Sequence, residues 1–379
     1  MKRISLFLLL FLLLKATVMY SQDGHPETNF RIVPVSPNAA SLGTFGMIPT
    51  DNYVGQANLT IPIYEIDLDG KKFPIALSYH TDGTRVAQEA TWIGLGWTLQ
   101  AGGCVVRQVQ GTDDFAARGC YNLTDAPWLT NPRFEVTDQN LEKYMGYFKG
   151  DYDAEPDMFY FNAGGHSGSM YFDVLKNNRQ LNAVPTIQTQ EKVVKMVYNT
   201  SNKTWTMTDL EGYVYSFSTK EITYYFLNTI DFFQTDITRS HIFPYYNEPQ
   251  IVTAWMLDSV TSPNGGKITF SYKKESIFTP ISTTEDVISL SKIVNGQLSS
   301  QSPQYFTNKF NYNYSYSKIE QWTLSAITFE GGKVEFGTTD REDIESAETG
   351  KKVQKLSSIK VSDTAGNLIK TTMLEYKYL

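Results

Sequence analysis

The stretch 92–103 reads WIGLGWTLQAGG, and it lies inside a longer block, residues 37–111, that is the most informative part of the chain. The block opens with PNAASLG at 37–43 and carries NLTIPIY at 58–64 and LSYH at 77–80. Apolar and polar residues alternate through the second of these segments, and such alternation is typical of a half-buried β-strand. The block therefore predicts a β-structure in the N-terminal part of the chain.

The glycines of the block admit a second interpretation, as a ligand loop. However, Gly94-x-Gly96 lacks the third glycine and the following helix of a dinucleotide-binding loop. Large rings flank the pair at Trp92 and Trp97. We interpret the glycines as thin strand backbone that the two tryptophans cover.

Residues 1–21 have the pattern of a secretory signal peptide. Lys2 and Arg3 precede an apolar run at 4–14 that is shorter than the ~20 residues needed to span a bilayer. We expect cleavage near Ser21, with a retained N-terminal membrane anchor as the alternative. We expect no membrane-spanning segment after it, and a secreted protein at the cell surface or outside the cell, with the periplasm as the alternative compartment.

The charge of the chain argues against two classes of partner. The leader holds three of the 33 basic residues and none of the 40 acidic ones, so its removal changes the net charge from −7 to −10. Nucleic-acid binding depends on lysine and arginine neutralising phosphates, and anionic membranes attract basic surfaces. We therefore expect neither nucleic acid nor an anionic membrane surface as a partner.

The chain has two cysteines, Cys104 and Cys120. An even pair in an exported protein is a candidate disulfide, whose loss would cost roughly 2–4 kcal/mol. The alternative is that Cys104, which stands in an apolar run, is a small buried hydrophobe and Cys120 a loop thiol. The sequence leaves both interpretations open.

The dominant period of the chain is two, which predicts an all-β fold of antiparallel hairpins and meanders in sandwich-like or curved-sheet layers, with little helix. Asp69-Gly70 joins two strand patterns as a hairpin, and GGHSG at 164–168 joins two more. A weak helical pattern covers 140–149, and the Ser- and Thr-rich segment 279–304 is interpreted as a flexible insertion. The predicted regions are an N-terminal β region at 22–112, a linker or surface loop at 113–150, and a hairpin meander region at 151–379.

One hairpin design recurs in the second half of the chain. Residues 257–270 and 324–336 share the form Leu-x-x-(Val/Ile)-Thr, a Gly-Gly turn, then Lys-(Ile/Val)-x-Phe, and 356–370 is a looser third copy. A single hairpin cannot bury its apolar face alone. The recurrence predicts a sheet that is extended by addition of similar units.

Few residues suggest chemistry. The four histidines, His25, His80, His166 and His241, have no metal-ligand spacing, and we expect structural or solvated roles for them. A weak calcium candidate alternates oxygen ligands at four positions, with a solvated acidic turn as the alternative: Asp151, Asp153, Glu155 and Asp157. We expect no catalytic residues and no other cofactor.

The six tryptophans could stack on sugar rings, but packing in the core is the favoured interpretation. If the chain were a carbohydrate-binding module, Trp128 and Trp205 would be the residues to test.

The block at 37–111 resembles the N-terminal region of secreted RHS/YD-repeat proteins of the Bacteroidota type. Further marks occur in the same order: EPD at 155–157, YFD at 171–173, TDLEG at 208–212 and SPNG at 262–265. In that family this region precedes YD repeats that coil into a large β-shell, which can enclose a toxin or effector. This chain has no Tyr-Asp-x-x-Gly-Arg unit, so the resemblance implies an N-terminal piece without the repeat array or the toxin tail.

The resemblance implies a non-enzymatic, exported scaffold that takes part in shell building, cell-surface interaction or competition between cells. Its expected partner is an RHS shell or an effector, or else a surface glycan. The alternatives are a carbohydrate-binding surface module and, as the weaker one, a secreted hydrolase with dispersed acids.

Overall fold

The structure is a computed structural model that describes residues 33–45, 58–80, 88–111, 113–116, 119–122, 153, 155–173, 182–188, 194–231, 250–289, 293–294, 297–298 and 308–378. The signal peptide and the helical pattern at 140–149 lie outside these residues. The chain divides into two compact units, the first of residues 1–32 and 110–156 and the second of 33–109 and 157–379. Most of the described residues belong to the second unit, so the two predicted β regions contribute to it together.

The described elements are almost all strands, which confirms the all-β prediction. One helix, α1, spans Pro37–Phe45, and a 3-10 turn spans Cys120–Asn122. The strands of the first half are β1 Asn58–Leu68, β2 Lys71–His80, β3 Trp97–Gln100, β4 Gly103–Gln108, β5 Met158–Ala163, β6 His166–Tyr171, β7 Asn182–Ala183, β8 Thr186–Ile187, β9 Val194–Asn199 and β10 Thr204–Asp209. Those of the second half are β11 Val214–Asp231, β12 Gln250–Thr261, β13 Lys267–Phe278, β14 Ser282–Ser289, β15 Ile293–Val294, β16 Gln297–Leu298, β17 Asn308–Phe329, β18 Gly332–Asp340, β19 Gln354–Ser362 and β20 Leu368–Met373.

The strands form three antiparallel sheets. β1, β2 and β3 form a three-stranded sheet, β15 and β16 a small pair, and the other 15 strands one large sheet. Within the large sheet, β11 pairs with β12, β12 with β13, β13 with β17, and β17 with β11. The pairing therefore closes into a ring of four strands. The segment 279–304, predicted as a flexible insertion, contains β14, which pairs along β17; that prediction was wrong for 282–289 because long-range pairing orders a polar strand.

The hairpin at Asp69-Gly70 is confirmed. Both turn residues have positive φ, 51° and 92°, as a two-residue hairpin turn requires. The sequence pattern placed Leu59, Ile61 and Ile63 on one face together with Glu65, but the register shifts between Pro62 and Tyr64. Ile63 lies at this bulge and is buried, whereas Leu59 and Ile61 before it are 52% and 42% exposed. Thr60 and Pro62 are exposed as well, so the strand is open to solvent on both faces before the bulge.

The recurrent hairpins share a register. In β12–β13, Thr261 lies opposite Lys267, and the preceding pair joins Val260 and Ile268. In β17–β18 the corresponding pairs are Thr328 with Lys333 and Ile327 with Val334. All four aliphatic side chains are buried, each at about 1.5–3 kcal/mol of stabilisation. The same unit thus adds to the sheet twice, and β19–β20 extends it again.

An aromatic cluster forms the core beside β10 and β12. Trp205 and Trp255 meet edge to face with ring centroids 6.1 Å apart, and Tyr198 and Phe159 lie 4.8 Å and 5.3 Å from Trp205. These four side chains are at most 1% exposed. Core packing of the tryptophans is therefore confirmed for Trp92, Trp205 and Trp255, which are all buried, and a sugar-stacking role for Trp205 is wrong because sugars cannot reach it.

The helix α1 was not predicted, although the sequence carries its signals. Ser36 precedes Pro37, and its hydroxyl accepts the N–H of Ala39 at 3.1 Å, as an N-cap does. The N–H of Ser36 in turn donates to Oε1 of Glu221 on β11 at 2.8 Å. Oε1 also accepts the hydroxyl of Thr253 on β12 at 3.1 Å. A buried carboxyl group therefore anchors the start of the helix to two strands.

A Glu221→Gln substitution tests this anchor. Burial raises the pKa of Glu221 above its ordinary value of 4.5, although the hydrogen bonds from Ser36 and Thr253 oppose the shift. A raised pKa means that the folded protein holds this proton more tightly than the unfolded chain does, so the contribution of Glu221 to stability falls as pH rises above 4.5. Glutamine has no such proton. As the pH rises from 5 to 8, Glu221→Gln should therefore become more stable relative to the parent. The free energies of unfolding from urea denaturation measure this change. A difference that is constant over that range would contradict the assignment.

The glycine at 103 tests the interpretation of the block as thin backbone. A Cβ on Gly103 would stand 2.6 Å from the Cβ of Ala163 and overlap the carbonyl oxygen of Asn162, because β4 and β5 pair there. Gly103→Ala should therefore lower the free energy of unfolding by roughly 2–3 kcal/mol, as overpacking does. The control is Gly265→Ala, where a Cβ meets open space and only the positive φ of 94° opposes it, at about 1 kcal/mol. Equal losses in the two variants would contradict the close approach.

Candidate functional site

Four hairpin turns of the second unit meet in one place, which we call the turn cluster. They are the turns at 69–70, 164–165, 210–213 and 262–266, between β1 and β2, β5 and β6, β10 and β11, and β12 and β13. All four overlap sequence segments that carried the family resemblance or the hairpin predictions. The tertiary structure brings these distant segments together.

Hydrogen bonds connect the turns. The hydroxyl of Ser262 donates to Oδ2 of Asp69, which joins the turn at 262–266 to that at 69–70. The hydroxyl of Tyr213 donates to the carbonyl oxygen of Leu68 at 3.0 Å. Gly164 lies against Tyr215, since a Cβ added to this glycine would overlap the tyrosine hydroxyl. Each turn thus contacts a turn or strand end of another hairpin.

An ion pair lies at the centre of the turn cluster. Nζ of Lys71 stands 2.5 Å from Oδ2 of Asp209 and 2.9 Å from Oε2 of Glu211. Its ammonium group also lies 4.9 Å from the ring centroid of Tyr213. The Asp209 side chain is 1% exposed and the Lys71 side chain 16%. Lys71 starts β2 directly after its turn, and Asp209 ends β10.

Local geometry explains why aspartate occupies position 209. Oδ1 accepts the backbone N–H groups of Glu211 and Tyr213 at 3.0 Å and 2.9 Å, which closes the turn. Oδ2 is then left for Lys71 and for the hydroxyl of Tyr215 at 3.1 Å. Each oxygen of this buried carboxylate therefore accepts two hydrogen bonds.

The titration of these groups follows from the arrangement. Burial would raise the pKa of Asp209, but the hydrogen bonds from Lys71 and the Tyr213 N–H outweigh it and hold the pKa below its usual range. Burial would lower the pKa of Lys71, but its bonds to Asp209 and Glu211 raise it well above its usual range. Burial raises the pKa of Tyr215. At neutral pH the cluster holds an ammonium ion, a carboxylate and a neutral phenol.

His166 begins β6 beside this group, with Nε2 3.8 Å from Oδ2 of Asp209. Burial and the positive charge of Lys71 lower the pKa of His166, so its ring is neutral at pH 7 and the contact is not an ion pair. The ammonium ion of Lys71 cannot act as a nucleophile, and the carboxylate of Asp209 is fully engaged. The chemistry of the turn cluster is that of a clamp between hairpins.

The structure describes three of the four proposed calcium ligands, Asp153, Glu155 and Asp157. Asp157 forms a buried ion pair with Arg107, whose Nε donates to Oδ2 at 2.8 Å. Asp153 belongs to the first unit and accepts the N–H of Glu155 at 2.9 Å. Asp151 lies outside the described residues. Among the residues that the structure describes, no three His, Cys, Asp or Glu side chains are placed to hold a metal ion. The calcium site stays a prediction.

The structure describes both cysteines, and no disulfide bond joins them. Cys104 packs in a core cluster with Ala39, Val106 and Met256, as the alternative interpretation expected of a small hydrophobe. Cys120 is also buried. Burial raises the pKa of the Cys104 thiol strongly. The disulfide stays a prediction, and thiol labelling with and without reductant tests it.

Two strand edges carry exposed apolar side chains. β20 pairs with β19 alone within the described chain, and Leu368, Ile369 and Met373 on it are 63%, 56% and 68% exposed. β1 ends the three-stranded sheet. The two strands approach each other where Nζ of Lys370 donates to the carbonyl oxygen of Ile63 at 2.8 Å. These edges, which we call the open edges, were not predicted.

No protein-family model matches this chain, and no curated protein sequence matches it. Three solved structures are similar to it: a mutant Tc holotoxin pore of Photorhabdus luminescens (9% identity, 91% of this chain, TM-score 0.38), the N-terminal domain of the effector SpvB from Salmonella typhimurium strain LT2 (11%, 84%, 0.35) and TcdB2-TccC3-TEV (11%, 91%, 0.31). The matches cover 14%, 99% and 14% of those chains, in the same order. At these identities and TM-scores the likeness carries no argument about function.

In the part of the chain that the structure describes, no helix is both long enough and apolar enough to cross a membrane.

An Asp209→Ala substitution tests the clamp. It removes four hydrogen bonds and leaves Lys71 with Glu211 alone, so we expect the free energy of unfolding at pH 7 to fall by about 3 kcal/mol. The lowered pKa of Asp209 means that its stabilisation is present above 3.8 and is lost as the pH falls below that value. The difference in free energy of unfolding between parent and variant, measured by urea denaturation, should therefore be smaller at pH 3 than at pH 7. The control is Glu335→Ala, which breaks an exposed pair with Lys333 and should cost at most about 1 kcal/mol. Similar losses in both variants would contradict the clamp.

Proposed function

We propose that this chain is a non-enzymatic scaffold of an RHS-like protein, exported from the cell, that builds a β-shell by sheet extension at its open edges. The observation that carries the proposal is β20, a terminal strand of the large sheet with apolar side chains in solvent. Exposed strand edges attract further strands because their N–H and C=O groups lack partners. The sequence resemblance to the N-terminal region of RHS/YD-repeat proteins supports the same function.

The construction of the sheet supports extension as the mode of assembly. The hairpins β17–β18 and β19–β20 pair with each other through β18 and β19, where Val334 lies opposite Val361. A further hairpin of the same design would meet β20 as β20 meets β19. Ile369 is the extra residue of a bulge, and Lys370 and Thr371 beyond it are both exposed. Adjacent strand residues point to opposite faces, so both faces of β20 are accessible there. The partner that fits is therefore an antiparallel β-hairpin.

The state of the buried charges supports a role without catalysis. In the turn cluster, Lys71 is protonated and Asp209 ionised at neutral pH, and each is bound to the other. Such a pair holds backbone segments in place and does not transfer protons. We accordingly propose that the turn cluster keeps the hairpin ends together while the sheet grows at β20.

A labelled peptide with the sequence of residues 354–373 tests the open edge. It reproduces β19 and β20, and we expect it to bind the full chain in fluorescence anisotropy because its strands can pair with β20. Ile369→Lys should weaken binding about tenfold, roughly 1.4 kcal/mol, since lysine on an edge strand opposes pairing. The matched control is Val184→Lys, which changes a 51% exposed valine between β7 and β8, away from the open edges and the turn cluster, and should bind normally.

Two results would contradict the proposal. The first is a peptide that does not bind the parent chain, or that binds the Ile369→Lys variant as tightly as it binds the parent. The second is hydrolysis of a glycan or peptide by the purified protein at an enzymatic rate, which would support the hydrolase alternative.

A further inference from the structure

A polar groove of about 400 Å³ lies between β13 and the segment 340–354, which joins β18 to β19. The segment is fixed along β13: the N–H of Ala347 donates to the carbonyl oxygen of Ser276 at 2.8 Å, and the N–H of Phe278 donates to that of Glu345 at 3.1 Å. The volume lies within the range of small-molecule sites. We call this site the lysine groove, because four lysines line it.

The lysines enter from both sides. Lys273 and Lys274 belong to β13, and Lys351 and Lys352 to the segment 340–354. Lys274 pairs with Glu320 at 2.7 Å, and Lys351 pairs with Glu348. Within the described chain, Lys273 and Lys352 have no carboxylate partner, and both are exposed. Two ammonium groups on facing walls are thus available to an anionic ligand.

The rest of the lining is suited to hydroxyl groups. Ser346 and the side chains of Asp340 and Gln354, which are 2.8 Å apart, offer both donors and acceptors. Val353 is the one aliphatic side chain among the residues that line the groove, and no aromatic ring lines it. This composition does not suit a lipid or a flat aromatic ligand. It suits a compact molecule that carries hydroxyl groups and a negative charge.

We propose that the lysine groove binds an acidic sugar, whose carboxylate contacts Lys273 and Lys352 and whose hydroxyl groups contact the Asp340 and Gln354 side. The site is separate from the open edges, so its test does not depend on the scaffold proposal. It uses charge and hydrogen bonds instead of the tryptophan stacking that the sequence suggested for a glycan.

Glu275 gives the groove a pH dependence. Burial, with a smaller contribution from Glu348, raises the pKa of Glu275 to about 7, although the Gln354 N–H, the Gln321 side chain and Arg341 oppose the shift. Below pH 7 the Glu275 carboxyl group is neutral, and the positive lysines act on a ligand carboxylate without opposition from it. Above pH 7 Glu275 is ionised and repels an anion. Binding of an acidic sugar should therefore weaken as pH rises from 6 to 8.

Calorimetric titration of the full chain with digalacturonic acid, and with the neutral disaccharide of galactose, tests the site. We expect the acidic sugar to bind at pH 6 and the neutral one to bind at least about tenfold more weakly, because a charged hydrogen bond contributes about that factor. Lys273→Gln and Lys352→Gln should each lose about tenfold in affinity for the acidic sugar. The matched control is Lys360→Gln, an exposed lysine on β19 that does not line the groove. Glu275→Gln should remove the pH dependence between 6 and 8.

Three outcomes would overturn the proposal. Absence of binding at millimolar digalacturonic acid excludes the site. Unchanged affinity in Lys273→Gln and Lys352→Gln places any binding elsewhere. Equal affinity for digalacturonic acid and inorganic phosphate shows that the groove responds to charge alone, and then the assignment to a sugar fails. Both lysines are exposed, so neither substitution should unfold the protein, and circular dichroism checks this.

Discussion

The carboxyl group of Glu221 is the interaction on which the centre of the fold depends. It accepts hydrogen bonds from Ser36, at the start of α1, and from Thr253 on β12. A helix that begins in the protein interior leaves backbone N–H groups that need hydrogen-bond acceptors. The side chain of Glu221 supplies one of these acceptors. Two residues later, Asn38 reaches Gln321 on β17 and the N–H of Trp92. One buried acid and one short helix thus join the ring of strands to the glycine-rich block.

The turn cluster applies the same principle at the ends of the hairpins. Lys71 and Asp209 are far apart in the chain, and their pairing requires the hairpin β1–β2 to meet the turn between β10 and β11. Removal of two charges from water is costly unless hydrogen bonds replace the lost solvent. Asp209 satisfies that condition through two backbone N–H groups, Lys71 and Tyr215. The pair therefore specifies which turns meet, in addition to any stability that it contributes.

Some charged side chains are buried in this protein, and some apolar side chains are exposed. Several charged side chains, such as Arg107 and Asp157, are buried in pairs, whereas leucine and isoleucine side chains are exposed on β20 and β1. Soluble proteins commonly protect a strand edge with charge. Under the proposed function, these apolar edges are the surfaces that further β-structure would cover. The lysine groove, in contrast, has a surface that water and polar ligands can reach.

The all-β class, the hairpins at Asp69-Gly70 and at 164–165, and the recurrent unit could be predicted from the sequence, because alternation and turn chemistry are local. It also contained the signals of α1, Ser36 followed by Pro37, but these signals do not indicate which residue the helix start contacts. The folded chain was needed to show that Glu221 contacts Ser36, that four turns form one cluster and that lysines from two elements line one groove. These contacts join residues that are far apart in the chain, and local periodicity holds no information about such distances.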